Sequence, residues 1–253
     1  MSLRRFPSIA RRGAAALLAG CATTGTPGAG VRADPWEGWN RKVYAFNEGL
    51  DEAVVKPVAT AYRDAVPQLV RTGVTNVFAH LGDVWSALNN MLQGKPGNGL
   101  RDVMRFGTNT IFGVAGLFDI ATEAGLERQG EDFGQTLGVW GVGAGPYIVW
   151  PLLGPSSLRE SVALPLELQV SPTLYTDDSG AQVGISVLQV VNTRANLLGA
   201  TRMLDDIALD KYSFVRDGYL QRRRSLVYDG DPPDLPDEAD AEAPAGSASA
   251  PSK

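Results

Sequence analysis

This sequence is poor in the side chains that do chemistry. Its 253 residues include one cysteine and one histidine. A lone cysteine excludes an internal disulfide and a thiolate metal site, and no paired histidines or H-E-x-x-H spacing exist for zinc. No G-x-S-x-G turn accompanies His80, which lies on a helix between Val77 and Leu81 and reads as a packing or surface residue. Long apolar runs are missing as well. The best stretch, Phe106 to Ala121, is interrupted by Thr, Asn, Gly and Asp, so no transmembrane helix is expected. Nor is there a basic excess. The net charge is −5, which argues against a nucleic-acid partner. The chain offers no catalytic constellation, no cofactor motif and no metal-ligand set. Gly141-x-Gly143-x-Gly145 has the look of a dinucleotide loop, but Pro146 follows and no helix opens there.

What is abundant is glycine (29) and proline (16), high for a mainly helical chain. The four arginines Arg4, Arg5, Arg11 and Arg12 precede an apolar run that ends Leu18-Ala19-Gly20-Cys21. A basic segment, an apolar segment and small residues before a cut site make a secretory signal peptide. With the only cysteine at the cut, the arrangement looks like a bacterial lipobox. Cleavage before Cys21 leaves 233 residues with acyl chains on Cys21, and Ala22 rather than Asp after it favours the outer membrane. Loss of the four leader arginines takes the net charge to −9. The segment from Asp229 to Lys253 holds a net −6 of that, leaving only −3 for the folded part.

The expected organisation is a signal peptide over 1–20, a flexible tether over 21–33, a helical domain over 34–228 and a disordered acidic tail over 229–253. A tether of twelve small residues spans roughly 20 Å. Asp34-Pro35-Trp36-Glu37 predicts a helix start, with Asp34 as N-cap, Pro35 at N1 and Glu37 completing a capping box. Trp36, Trp39, Val43, Phe46 and Leu50 fall on one face of that helix. A second helix is predicted from about Pro67 to Gln93. Its stripe of Val70, Val74, Val77, Leu81, Val84, Leu88 and Met91, widened by Phe78, Trp85 and Leu92, suits burial inside a helical domain. Weaker helical segments follow at 99–121 and 131–140. Ser157 and Glu160 form a capping box for the next helix, and two more helices fit 182–198 and 201–227. Extended backbone is expected only near Val142 and Ile148–Val149. The Gly-Pro segment from Gly141 to Pro155 is either an irregular core crossing or an apolar hairpin with glycine pivots. Arg222, Arg223 and Arg224 either face phosphate head groups or compensate a helix dipole.

Several motifs occur in a shared order. Asp34-Pro35-x-Glu37-Gly38-Trp39-Asn40-Arg41 leads to Phe46-Asn47 and Asp51. Lys56-Pro57-Val58-Ala59, Leu92-Gln93-Gly94 and Arg105-Phe106 come next. Phe133-Gly134-Gln135-Thr136-Leu137-Gly138 and Gly141-Val142-Gly143-x-Gly145-Pro146-Tyr147 close the series. Over about 34–225 the chain resembles the VacJ/MlaA family of outer-membrane lipoproteins. The resemblance implies an all-α fold: a single ring-shaped helical domain embedded in one membrane leaflet, with no transmembrane helix. It implies retrograde phospholipid transport that preserves outer-membrane lipid asymmetry. Glycerophospholipid would pass through an amphipathic channel from the outer-membrane bilayer to a soluble periplasmic lipid carrier (MlaC-like), with a trimeric porin holding the protein in place. The family's hairpin hinge maps onto Gly141, Gly143 and Gly145, and its N-terminal motif onto Asp34, Pro35, Asn40, Arg41, Phe46 and Asn47. The alternative is a non-transporting lipoprotein that scaffolds a porin.

Overall fold

The computed structural model describes residues 33–171 and 176–233; Cys21, the leader, nearly all of the tether and most of the acidic tail lie outside the described residues. The described chain is mainly helical. Helix α1 (Glu37–Leu50) passes through a π-helical stretch (Asp51–Val55) into α2 (Lys56–Ala65). Then come α3 (Gln68–Leu92), α4 (Pro96–Ile111), α5 (Ile120–Glu123) and α6 (Phe133–Val139). An antiparallel hairpin, β1 (Tyr147–Trp150) and β2 (Gly154–Ser157), precedes α7 (Leu158–Gln169), α8 (Ser179–Ile207) and α9 (Lys211–Val227). No helix among the described residues is long and apolar enough to cross a membrane.

Several ends follow from the sequence. Ser157 caps α7 by accepting from the Glu160 backbone N–H, as its capping box predicts, and α3 starts directly after Pro67. Two expectations fail. Asp34 does not cap α1; Trp36 occupies that position without a side-chain bond, because the Asp34 carboxylate is committed to partners far along the chain. The break between the last two helices falls at Ala208–Asp210, not near Gly199. A single glycine costs a helix only about 1 kcal/mol, whereas Asp210 offers a side-chain cap to the Ser213 N–H. The π turn has a local cause. Pro57 has no N–H to give and its ring collides with the carbonyl four residues back. Widening the turn just ahead of it relieves that clash, and the Lys56 N–H bonds to the Asp51 carbonyl five residues away.

The interior is polar. The face of α3 that turns inward carries Gly73, His80, Asp83, Ser86, Asn89 and Asn90. The predicted apolar stripe of α3 is not its buried face: Val70, Val84, Leu88 and Met91 are exposed. Across from α3, the buried positions of α4 are Gly99, Asp102, Arg105 and Asn109. Arg105 is wholly buried. It donates to both Asp119 oxygens (3.0 and 3.1 Å), to Thr122 Oγ1 and to the Leu126 carbonyl, and lies 3.5 Å from Asp83. Arg128 closes the other side of Asp83 at 2.8 Å. Further along the seam, Ser86 and Asn90 both donate to Asp102 Oδ2 (2.6 and 2.9 Å). Thr136 Oγ1 of α6 donates to Asn89 Oδ1 (2.7 Å). The His80 ring stacks on Phe106 (4.4 Å between centroids), and burial lowers its pKa, which keeps it neutral.

Breaking a buried ion pair by removing one partner typically costs ~3–5 kcal/mol, since the other charge stays buried. Arg105→Met is therefore expected to lower unfolding stability by about that amount. Adding Asp119→Asn to it should recover part of the loss, read from chemical denaturation of the detergent-solubilised protein.

Candidate functional site

The hairpin and the helices around it hold the residues that the sequence singled out. Asn40 is completely buried. Its Nδ2 donates to the Tyr147 carbonyl (3.1 Å) while its Oδ1 accepts from the Val149 N–H (2.9 Å). A second amide repeats the pattern two turns on: Asn47 Nδ2 donates to the Trp150 carbonyl (3.0 Å) and its Oδ1 accepts from the Leu152 N–H (2.9 Å). Seven helical residues advance about 10.5 Å, and three strand residues about 10 Å. The helix and strand repeats therefore match, and each asparagine acts as one rung of a β-ladder. The asparagines thus satisfy backbone groups on the edge of β1 turned away from β2. The Val149 N–H goes to Asn40, so Val149 and the Pro155 opposite it exchange no hydrogen bond, and the missing N–H of Pro155 costs the hairpin no bond there.

Asp34 and Arg41 complete the clamp. Asn40 Nδ2 also donates to Asp34 Oδ1 (2.7 Å). The other Asp34 oxygen accepts from the Tyr212 hydroxyl and lies 3.6 Å from Arg216, both on α9. Arg41 donates to both Asp210 oxygens (3.2 and 2.7 Å) and its guanidinium sits 4.4 Å above the Tyr212 ring. Burial and the Asp34 carboxylate together push the Tyr212 hydroxyl well above the usual phenol range. Pro35 is an exposed turn residue ahead of α1. Phe46, at 58% exposure, is left largely in the open.

The glycines stand in unlike settings. Gly141 adopts φ +90° with open space around its Cβ position. Gly145 adopts φ +68°, and a Cβ there would come within 2.9 Å of Leu158. Gly143 has open space and needs no left-handed backbone. The hairpin tip turns through Leu152 at φ +67°, a costly conformation for a non-glycine residue. Leu152 and Leu153 are both exposed there.

Two cavities lie at the hairpin, and a third is lined by other elements. The first, about 210 Å³, is floored by Tyr44 and Val149 and rimmed by charges from α1, the π turn, α8 and α9. The second, about 230 Å³, has Trp150, Leu153, Glu160, Glu167 and Tyr219 in its walls. Gly154 and Pro155 of the hairpin line both. The third, about 410 Å³, is almost wholly apolar, formed by Val74, Val77, Phe78 and Leu81 of α3 with Leu117, Ile185 and Leu188. Arg223 is taken up inside the protein, bonded to Asp132 (2.6 Å) and Glu160 (2.6 Å), so it neither faces head groups nor serves only a dipole.

Sequence reasoning missed the π turn, the charged rim of the first cavity and the buried seam. Pro57 carried the signal for the first; the other two needed partners far apart in the chain. It also missed that the exterior is apolar. Trp36, Trp39, Leu69, Ile111, Phe112, Leu152, Leu153 and Met203 are among many large apolar side chains left exposed.

The chain matches the model of the MlaA lipoprotein family over residues 32–226. It is 39% identical over 219 residues to the intermembrane phospholipid transport system lipoprotein MlaA of Escherichia coli (strain K12), covering 85% of this chain and 86% of that protein. It is 30% identical over 219 residues to the protein of the same name from Haemophilus influenzae, covering 84% and 87%. A solved structure, described as the structural basis for maintenance of bacterial outer membrane lipid asymmetry, superposes with a TM-score of 0.67 at 36% identity. The match covers 78% of this chain and all of that one. With polar seams inside, apolar faces outside and the whole motif series in one fold, the chain belongs to the MlaA lipoprotein family.

Proposed function

We propose that this chain is an outer-membrane lipoprotein that removes mislocalised phospholipid from the outer leaflet and passes it to a soluble periplasmic carrier. The observation that carries the reading is the inverted partition of side chains. Among the described residues, polar and charged groups outnumber apolar ones in the buried interior and charged side chains stand in the walls of two cavities at the hairpin, while many large apolar side chains stand outside although no described helix is long and apolar enough to cross a membrane. Soluble monomers rarely leave large apolar patches in water; a protein sunk in one leaflet has no such constraint. A two-chain lipid exposes on the order of 30 methylenes, so release into water costs roughly 24 kcal/mol at ~0.8 each. A path that wets the head and shields the tails removes most of that barrier without any covalent step. The relatives' names, as phospholipid transport lipoproteins, support the same reading. In it, Cys21 carries the membrane anchor, a trimeric porin holds the protein in place, and Gly141, Gly143 and Gly145 form the hinge of the hairpin.

The function is tested by expressing the chain in cells that lack their own homologue and measuring phospholipid in the outer leaflet. Restoration of the low wild-type level supports transport. An intact porin complex with no change in outer-leaflet lipid would favour the scaffold reading.

Three sets of variants follow. Cys21→Ser is expected to leave the protein uncleaved or soluble; normal outer-membrane fractionation would remove the anchor from Cys21. Gly141→Val imposes a β-branched residue at φ +90° and should abolish function while helical circular dichroism survives. Gly143→Val meets no obstacle in the described conformation, so a loss of function there would report a second conformation of the loop. Asn47→Leu removes both bonds to the hairpin tip. Amide exchange at Leu152 should accelerate at least about tenfold, the factor for ~1.4 kcal/mol; unchanged exchange would mean that the tip holds itself.

A further inference from the structure

The first cavity holds charge in an unusual state, and this inference rests on the transport reading above. Most of its ionic groups are spent on one another. Arg194 gives Nε and Nη2 to the two Asp51 oxygens (2.7 Å each) and Nη1 to Thr201 (3.0 Å). Lys211 is bonded to Asp205 (2.6 Å) and Glu48 (3.2 Å). Two lining groups remain, Glu52 and Lys56. Neither makes an ion pair within the described residues.

Their spacing makes that informative. A glutamate four residues ahead of a lysine is the favoured ion-pair order on an α-helix. Here Glu52 lies within the π-helical stretch Asp51–Val55 and Lys56 directly follows it. A π turn bonds i to i+5, so i+4 no longer falls above i. Pro57 causes the widened turn, and the turn leaves one anion and one cation on the same cavity wall without neutralising them. Such π insertions in helices often mark functional sites.

The geometry points to a site for a zwitterionic phospholipid headgroup, with the Lys56 ammonium taking the phosphate and the Glu52 carboxylate taking the headgroup ammonium. Size agrees. At about 210 Å³ the cavity is smaller than the ~300–1,000 Å³ usual for a whole small-molecule ligand, so it suits the polar end of a lipid. The tails would leave past the apolar floor of Tyr44 and Val149. Charge agrees too. The lining carries Lys56, Arg194 and Lys211 against Glu48, Asp51, Glu52 and Asp205, one excess negative charge. A net-neutral headgroup is accepted there, and a net-anionic one is repelled. The ligand class is therefore phosphatidylethanolamine-like rather than phosphatidylglycerol-like.

The test uses the full lipidated protein in detergent micelles with equimolar phosphatidylethanolamine and phosphatidylglycerol. The protein is repurified and its bound lipids are quantified by mass spectrometry. Wild type is expected to retain phosphatidylethanolamine at least threefold over phosphatidylglycerol. Glu52→Lys should bring the ratio to one or below while total lipid is kept. Lys56→Glu should lower total bound lipid at least threefold, and Lys56→Arg should restore it. Helical circular dichroism checks that each variant is folded. If Glu52→Lys leaves the lipid ratio unmoved, or Lys56→Glu leaves total bound lipid unmoved, the headgroup site is overturned and the transport reading stands. Absence of any bound phospholipid in wild type strikes the transport reading itself.

Discussion

Arg105 and the carboxylates around it hold α3 against α4, and much of the remaining structure leans on that seam. The guanidinium is shielded from water and shared by two acids with opposite fates. At Asp119, burial raises the pKa, but bonds from Thr122, Asn109 and Arg105 outweigh it and hold the carboxyl at about 2. At Asp83, burial wins over Arg128 and Arg105 and the pKa rises. A soluble helical protein would gain little from such a seam, since apolar residues of similar volume often do as well. The arithmetic changes when the outer helix faces are committed to an apolar phase. Helices then gain nothing by burying apolar side chains against one another, and polar contacts must supply the specificity of their packing.

A second constraint joins the start of the described chain to its end. Asp34, Asn40, Arg41 and Asn47 form one system that ties α1 to α9 and to the hairpin. Around it lies a small aromatic core of Tyr147 and Tyr212 with Val43 and Val149, packed by Tyr44 and Tyr219. This gives the N-terminal motif a physical meaning: short polar side chains at helix spacing substitute for the strand that β1 lacks. Phe46 sits within the same motif but takes no part in the clamp's hydrogen bonds, and its ring is exposed.

Element boundaries were largely legible in the sequence. Pro67, Ser157 and the 3-4 spacing of valines and leucines placed α3 and the start of α7 closely. Orientation was not legible, because periodicity locates a stripe without saying which solvent it meets. The α3 stripe reads as interior, but Val70, Val84, Leu88 and Met91 are left exposed and the face with Asp83, Ser86 and Asn90 is the buried one. Asp34 misled for a related reason. Its local pattern fits a cap, but a tyrosine 178 residues away competes for the carboxylate. The hairpin site was half legible: glycines and prolines announced an unusual loop, while the Asn40 and Asn47 rungs depend on a register that only the fold creates. Glu52 and Lys56 stand at the spacing of a helix ion pair, and only the π turn ahead of Pro57 shows that they do not form one.

The hairpin's two sides differ in how firmly they are held. Its tip is fixed by Asn47, and β1 by Asn40. The glycine side is stitched to the rest differently: the Arg159 N–H to the Ala144 carbonyl (3.1 Å), the Leu158 N–H to the Pro146 carbonyl (3.0 Å), the Val142 N–H to the Leu137 carbonyl (2.9 Å) and the Arg159 guanidinium to the Val142 carbonyl (3.4 Å). At about 1 kcal/mol net for each such bond, releasing the loop costs roughly 4 kcal/mol before any new contact is made. That corresponds to an opened population of about 0.1%, at the lower end of the range through which ligands shift equilibria. A hinge at these glycines thus requires neither unfolding nor a large external drive. A lipid that favours the opened loop by a few kcal/mol would be enough, and the asparagine rungs would keep β1 and the tip in register during such an opening.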